Sequence, residues 1–140
     1  MWFELRKESL EFLGRAPVVH VAEAVIAAPR NAVFGAIADP RGWKHWVPGV
    51  REASYTTPPP HGVGTIREAN VGGTRWVEEL IDWEDPTRWA WTVLRTSVPF
   101  ARACGGSSSR HTGLEIFQIC LVLRSFRRSR TRAPKACRWW

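Results

Sequence analysis

The 140-residue chain is predicted to form one α+β domain in which a curved antiparallel sheet wraps around helices. The length suits a single domain with one hydrophobic core. The order of segments is a strand, a helix, a helical turn and then several consecutive strands. A meander of strands with one exposed face must cover its other face, and a helix packed into the curve of the sheet does so.

The N-terminal segment predicts a lead-in followed by a strand. Residues 2–13 fit either a short helix or an extended segment, and Gly14 ends it. Residues 18–27 are rich in β-branched side chains, which favours a strand there.

A helix and a short turn follow this strand. Pro29 suits a first helical turn, and the helix is expected to stop at Asp39, because a residue before proline is driven out of the α region. The segment 41–49 is long enough for one turn only, which predicts that the rings of Trp43 and Trp46 lie on one side.

The rest of the recognisable pattern is a meander. Proline at 58–60, the Gly-Gly pair at 72–73 and the sequence EDPT at 84–87 separate its strands. The predicted strands lie near 50–57, 63–70, 74–84 and 87–98, with one more expected within 114–126.

Charge and cysteine divide the chain at residue 103. Residues 1–103 hold 12 Lys and Arg and 12 Asp and Glu, whereas residues 104–140 hold 8 Lys and Arg and a single acid, Glu115. All three cysteines also lie in 104–140. We therefore expect a domain over 1–103, with 1–16 as its lead-in, and an atypical basic Arg/Cys-rich segment over 104–140.

Three interpretations of residues 104–140 remain open. The segment is a solvated basic tail, a tether to nucleic acid or an anionic membrane, or the product of out-of-frame reading of a GC-rich gene end. The odd number of cysteines and the absence of CxxC spacing argue against a disulfide framework and a zinc site. These features, with no apolar signal segment, predict a cytoplasmic protein without a metal or cofactor.

Four segments together resemble the START-like superfamily, which has the helix-grip fold of the birch-pollen allergen. Within it the chain is most similar to bacterial polyketide cyclase/dehydrase and lipid-transport-like (SRPBCC) proteins. The resemblance covers about residues 16–103 and rests on AAPRNAVFGAIADP, GWKHWVPGV, GVGTIREANV and RWVEELIDWEDPTRWAWTV. It implies a helix-grip fold whose long C-terminal helix closes a cavity. No such helix is recognisable here, so it is expected to be absent or degenerate.

The expected cavity is aromatic. Trp89 and Trp91 are two residues apart on one strand and therefore face the same side. His45 lies between two tryptophans and is the only histidine counted toward the pocket. The candidate lining residues are Phe34, Ile37, Trp43, His45, Trp46, Arg67, Trp76, Trp89 and Trp91.

The orientation of charged residues on the predicted strands decides what such a cavity does. Arg67 and Arg75 each point either outward into water or inward, where either would orient a ligand carboxylate or enolate. Glu78 and Glu79 must face opposite sides of their strand, so at most one faces the interior, where it would serve proton transfer; the alternative is an ion pair on the outer surface. No nucleophile motif is present, and no catalytic residue is assigned.

The sequence predicts binding of a hydrophobic small molecule, such as a lipid or a polyketide-like compound. The first alternative is an enzyme of the polyketide cyclase/aromatase kind, and the second is a basic tail that binds nucleic acid or an anionic surface. A pocket without inward polar groups favours carriage of the ligand, whereas an inward Arg–Glu or His pair favours catalysis. Nucleic acid is the least favoured partner, no integral membrane segment is expected, and the oligomeric state is left open.

Overall fold

The computed structural model describes residues 1–16, 24–99 and 118–122, the last as backbone. Strand predictions from the meander are confirmed. The strands are β1 Phe3–Glu4, β2 Val50–Tyr55, β3 Ile66–Val71, β4 Thr74–Glu84, β5 Arg88–Thr96 and β6 Gln118–Val122. The helical elements are α1 Arg30–Ala38 and two 3-10 helices, Leu10–Gly14 and Pro40–His45.

These strands form one antiparallel sheet in the order β1-β5-β4-β3-β2. β6 pairs with residues 88–92 of β5, and β1 pairs with residues 95–96 of the same strand. Since β4 occupies the other edge of β5, β6 and β1 follow one another along a single edge. The strand expected within 114–126 is therefore present and belongs to the sheet.

The helical predictions hold at α1 and need correction around it. Helix α1 follows an extended Pro29 and ends before Asp39, whose carboxylate accepts a hydrogen bond from the Arg41 N–H at 3.2 Å and so starts the next 3-10 helix. The N-terminal lead-in is extended at β1 and then forms the first 3-10 helix. Residues 24–27 lie outside any strand, so that part of the predicted 18–27 strand is wrong; residues 17–23 fall outside the described ranges.

The expected pairing of Trp43 with Trp46 is also wrong. Trp43 is 8% exposed and donates from Nε1 to the Ile37 carbonyl at 2.9 Å, whereas Trp46 is 53% exposed. Trp46 is the residue after the second 3-10 helix and has φ −141°. Because the backbone has already left the helical conformation there, the two rings do not share a side.

The main core lies between α1, the second 3-10 helix and one side of strands β2–β5, which we call the concave face. Phe34 meets Trp83 edge-on with ring centroids 5.5 Å apart, and Trp43 meets Trp89 edge-on at 5.8 Å. The buried members of the cluster are Phe34, Trp43, Val50, Ala53, Ala69, Leu80 and Trp89. The architecture is the α+β helix-grip arrangement. The expectation that its C-terminal helix is absent or degenerate concerns residues outside the described ranges. Among the described residues no helix has the length and apolarity to cross a membrane.

Candidate functional site

A charged group lies at the centre of the concave face. Arg67 on β3 has no exposed surface. Its guanidinium carbon lies 4.3 Å from the ring centroid of Trp43, 4.8 Å from that of Trp89 and 4.9 Å from that of Trp91. Cation–π attraction is strongest where the cation is desolvated, so three indoles can hold a guanidinium there that an aliphatic core would reject. Arg67 thus takes the inward orientation.

Glu78 on β4 supplies the countercharge. The antiparallel register places Glu78 directly opposite Arg67, so both side chains leave the same face of the sheet. Arg67 Nε donates to Glu78 Oε2 at 2.7 Å, and the indole Nε1 of Trp91 donates to Glu78 Oε1 at 3.0 Å. Both carboxylate oxygens are therefore engaged. We call Arg67, Glu78, Trp43, Trp89 and Trp91 the arginine cage.

The cage leaves two donors without acceptors. Arg67 Nη1 and Trp89 Nε1 are buried and have no hydrogen-bond partner. Arg67 Nη2 lies 2.5 Å from Glu78 Oε2 but is not aligned as a hydrogen bond, so that contact is an ion pair only. Buried donors of this kind are few in folded proteins and each raises the free energy of the folded state, so they indicate a place for an acceptor oxygen.

The structure gathers most of the candidate lining residues. Phe34 and Ile37 reach the concave face from α1, and Trp76 is half-buried on β4, opposite Ala69. Trp89 and Trp91 lie side by side as expected, with centroids 4.7 Å apart. Those brought to the concave face are Phe34, Ile37, Trp43, Arg67, Trp76, Trp89 and Trp91.

Two candidates lie elsewhere. His45 is exposed, and Trp46 is mostly in solvent. Both follow Trp43 at the end of the second 3-10 helix, where one short turn can bury a single ring. Neither lines the concave face.

Of the adjacent glutamates, Glu79 faces the opposite side of the sheet from Glu78. Its Oε1 lies 2.7 Å from Lys7 Nζ. The expectation that at most one of the pair faces inward is thus met by the period of the strand. The side chain that faces inward is paired with Arg67 inside the fold and not on its outer surface.

The sequence reasoning missed Tyr55 and His61 as functional candidates. Tyr55 on β2 donates to the Ala38 carbonyl at 2.8 Å and stacks on His61 with ring centroids 4.2 Å apart. Burial, with a smaller contribution from Asp39, raises the pKa of the Tyr55 phenol to about 12, and the positive charge of Arg67 opposes part of that rise. The pattern of β2 gave no signal for this orientation, because the register shift between Val50 and Glu52 breaks the alternation, and counting from Val50 would place Tyr55 on the outer face.

Comparison with known proteins shows which family the chain belongs to. The model of the family described as "Polyketide cyclase / dehydrase and lipid transport" matches residues 18–130. The chain belongs to this family. The matched range passes the compositional boundary at residue 103 and includes β6.

As a member of the polyketide cyclase/dehydrase and lipid-transport family, the chain has mycobacterial relatives. Uncharacterized proteins of Mycobacterium bovis and of two strains of Mycobacterium tuberculosis are 31% identical over 97 residues, which is 69% of this chain. The chain spans 58% of the length of these relatives. No solved structure matches the chain.

Two clefts open on the described part of this family member outside the arginine cage. One of about 500 Å³ is lined by Tyr55, His61 and the Asp39–Arg41 turn, and another of about 540 Å³ lies over β2 and β3. The cage indoles line neither cleft. Across the described ranges, no three His, Cys, Asp or Glu side chains come together as a metal site.

Proposed function

We propose that the chain binds a hydrophobic small molecule between the concave face and the helical segments, with the arginine cage as its polar anchor. The observation that carries this proposal is the unpartnered Nη1 of Arg67, a buried cationic donor surrounded by indoles. A ligand that offers one acceptor oxygen on an apolar aromatic body would supply the missing acceptor and pack against the rings. Ligand pockets commonly combine such an apolar wall with a few fixed polar groups.

Membership of the family supports the general class of ligand in this proposal, a hydrophobic small molecule. Its description covers lipid transport and polyketide cyclisation, and both involve hydrophobic molecules. The specific ligand and an aromatic-lined cavity large enough to hold it are part of the proposal.

Ligand titration tests the anchor. We expect naphthoic acid to bind more tightly than naphthalene, and Arg67→Met combined with Glu78→Leu to remove that difference, roughly tenfold in Kd, because a hydrogen bond to a charged donor is lost and no unpaired carboxylate stays buried. Methionine keeps the apolar volume within the rings. Arg15→Met is the matched control, since Arg15 contacts Glu8 and Phe12 and lies outside the cage. Equal affinities for the acid and the hydrocarbon in the wild-type chain would refute the anchor.

An enzyme of the polyketide cyclase kind is the second candidate, and the inward Arg67–Glu78 pair favours it. A carboxylate beside a buried guanidinium can move a proton on a bound keto chain while the arginine holds the enolate. Against this role, both oxygens of Glu78 already accept hydrogen bonds. Binding is therefore the first proposal. Loss of turnover of a poly-β-keto substrate in Glu78→Gln, with ligand affinity retained, would establish the enzyme instead.

Two further expectations stay predictions. The first is that the basic segment 104–140 tethers the protein to nucleic acid. Apart from β6, this segment lies outside the described ranges. Native mass spectrometry of the protein purified from its source would show which molecule it carries, and nucleic acid in place of a hydrophobic ligand would reverse the order of the candidates. The cytoplasmic location likewise stays a prediction.

A further inference from the structure

Two loops without charged residues meet at one end of the sheet. They are residues 46–49 after the second 3-10 helix and residues 71–74 at the β3–β4 turn, and we call them the uncharged tip. The Gly72 N–H donates to the Gly49 carbonyl at 2.8 Å, which holds the loops together. Trp46 is 53% exposed and Val71 is 36% exposed. The tip thus presents an indole and an aliphatic side chain to solvent from a hydrogen-bonded base.

Basic residues lie next to this tip in the sequence. Arg41 and Lys44 are three residues apart on a 3-10 helix and therefore share one side of it. Arg51 follows the first residue of β2, and Arg75 follows the 71–74 loop. These four residues, which we call the basic rim, line the cleft of about 540 Å³ over β2 and β3.

The rim carries more positive charge than its neighbours neutralise. Arg75 Nη2 lies 3.1 Å from Glu68. Within the described part of the chain, Arg41, Lys44 and Arg51 form no ion pair, and Glu52 and Glu68 are the only acids lining the same cleft. The end of the molecule that bears the exposed indole is therefore cationic.

We propose that the uncharged tip and the basic rim dock the protein on an anionic lipid bilayer. Trp is suited to the boundary between water and hydrocarbon, because one ring combines apolar area with a single N–H donor. Lys and Arg beside the membrane surface are attracted to anionic headgroups. A free anion in the cleft would use the cations only, whereas a bilayer uses the cations together with Trp46 and Val71. The proposal is independent of the ligand that the concave face binds.

Vesicle co-sedimentation of the full chain tests the rim. The wild type is expected to bind phosphatidylglycerol–phosphatidylcholine vesicles and to bind phosphatidylcholine alone much more weakly. Lys44→Gln with Arg51→Gln should weaken binding to the anionic vesicles roughly 25-fold, since each basic residue near the surface contributes about fivefold. Lys7→Gln with Arg88→Gln is the control, because it removes the same charge away from the tip. Residues 104–140 are common to all variants, so their contribution is the same throughout.

A second pair of variants tests the indole. Trp46→Ala should weaken binding to anionic vesicles roughly tenfold, as expected for an apolar ring that leaves water. Val63→Ala should have no effect, although Val63 is 67% exposed, because it lies near the opposite end of β3. Equal losses in the rim and control pairs, or unchanged binding in Trp46→Ala, would overturn the proposal and attribute binding to overall charge. Naphthoic acid titration without lipid should be unchanged in all these variants, which separates failure of docking from failure of ligand binding.

Discussion

Arg67 is a cation with no water contact, and its stability in the fold depends on one carboxylate. Breaking a buried ion pair by removing one partner typically costs about 3–5 kcal/mol, because the remaining charge stays buried. Glu78→Ala is therefore expected to lower the free energy of unfolding by about 3 kcal/mol or more. Urea unfolding followed by tryptophan fluorescence measures this loss.

The adjacent residue is the matched control for that prediction. Glu79 forms an ion pair with Lys7, whose side chain is 56% exposed. Such surface pairs contribute about 0–1 kcal/mol, so Glu79→Ala should change stability little. Replacing both cage charges, Arg67→Met with Glu78→Leu, should recover much of the stability lost in Glu78→Ala. Similar losses in Glu78→Ala and Glu79→Ala would contradict the buried pair.

The stability of the fold is expected to depend on pH through the single residue Tyr55. It is the only tyrosine in the sequence, so the ultraviolet absorbance of tyrosinate reports on one group. The folded-state pKa of about 12 lies above the ordinary tyrosine value of 10.0. The folded chain therefore holds the phenolic proton more tightly, and the stability that this provides is present below pH 10 and lost as the pH rises through about 12.

Variants of the two neighbours should move the Tyr55 titration in opposite directions. Arg67→Met removes a positive charge that lowers the pKa of Tyr55 and should raise it further. Asp39→Asn removes a negative charge that raises the pKa and should lower it. A Tyr55 titration near pH 10 in the folded wild type would show that the phenol is not buried against Ala38.

At the scale of the element, the β3–β4 hairpin depends on its two glycines. Gly72 has φ +60° and Gly73 has φ +92°, a conformation that other residues rarely adopt. Gly73→Ala should lower the free energy of unfolding by about 1–2 kcal/mol. Gly72→Asn should be nearly neutral, because Asn-Gly suits such a turn.

In helix α1, a glycine-to-alanine change is expected to have the opposite effect on stability. A Cβ at Gly35 would meet nothing within 4 Å. Gly35→Ala should therefore raise the free energy of unfolding by about 0.5–1 kcal/mol. Thermal melting of both alanine variants gives the comparison, and a loss of stability in Gly35→Ala would show that this helix is not formed as described.

The elements also show how far the sequence could lead. Gly-Gly at 72–73 and the alternation through β4 correctly placed the hairpin and turned Glu78 and Glu79 to opposite faces. The same alternation assigns Asp82, and not Trp83, to the concave face. The register shift between Leu80 and Asp82 reverses this parity and brings Trp83 against Phe34. An irregularity of this kind is set by pairing with β5 and leaves no periodic signal in β4 itself.

The burial of Arg67 shows the other limit of sequence reasoning. Alternation with apolar neighbours permitted either orientation, and an arginine on a strand has no reason of its own to face inward. The orientation follows from two cross-strand facts, the opposition of Glu78 and the convergence of three indoles from β5 and the second 3-10 helix. Which side chains are neighbours across strands is decided only by the pairing register of the folded sheet. Contrary to the expectation from the sequence, Trp46 does not line the concave face, for a similarly local reason: the backbone changes conformation at the end of a short helix.

At the scale of the whole molecule, the sheet crosses the compositional boundary at residue 103. The antiparallel pairing of β6 with residues 88–92 means that β5 takes backbone hydrogen bonds from beyond that boundary. Truncation after Ala103 removes β6 and leaves that part of the β5 edge without a partner, whereas truncation after Arg124 keeps the strand. An unpaired strand edge both loses ladder hydrogen bonds and invites pairing with other copies of the chain.

The two truncations therefore separate the interpretations of residues 104–140. If β6 is part of the native sheet, the product ending at Ala103 should melt at a lower temperature and associate, while the product ending at Arg124 should melt close to the full chain. If the segment is out of frame and adds nothing to the fold, both products should melt alike. Circular dichroism melts and size-exclusion chromatography with light scattering measure both outcomes. Because β6 pairs with β5 at Trp89 and Trp91, the same two products show whether the arginine cage needs the basic segment: if it does, the preference for naphthoic acid over naphthalene should be lost in the shorter product only.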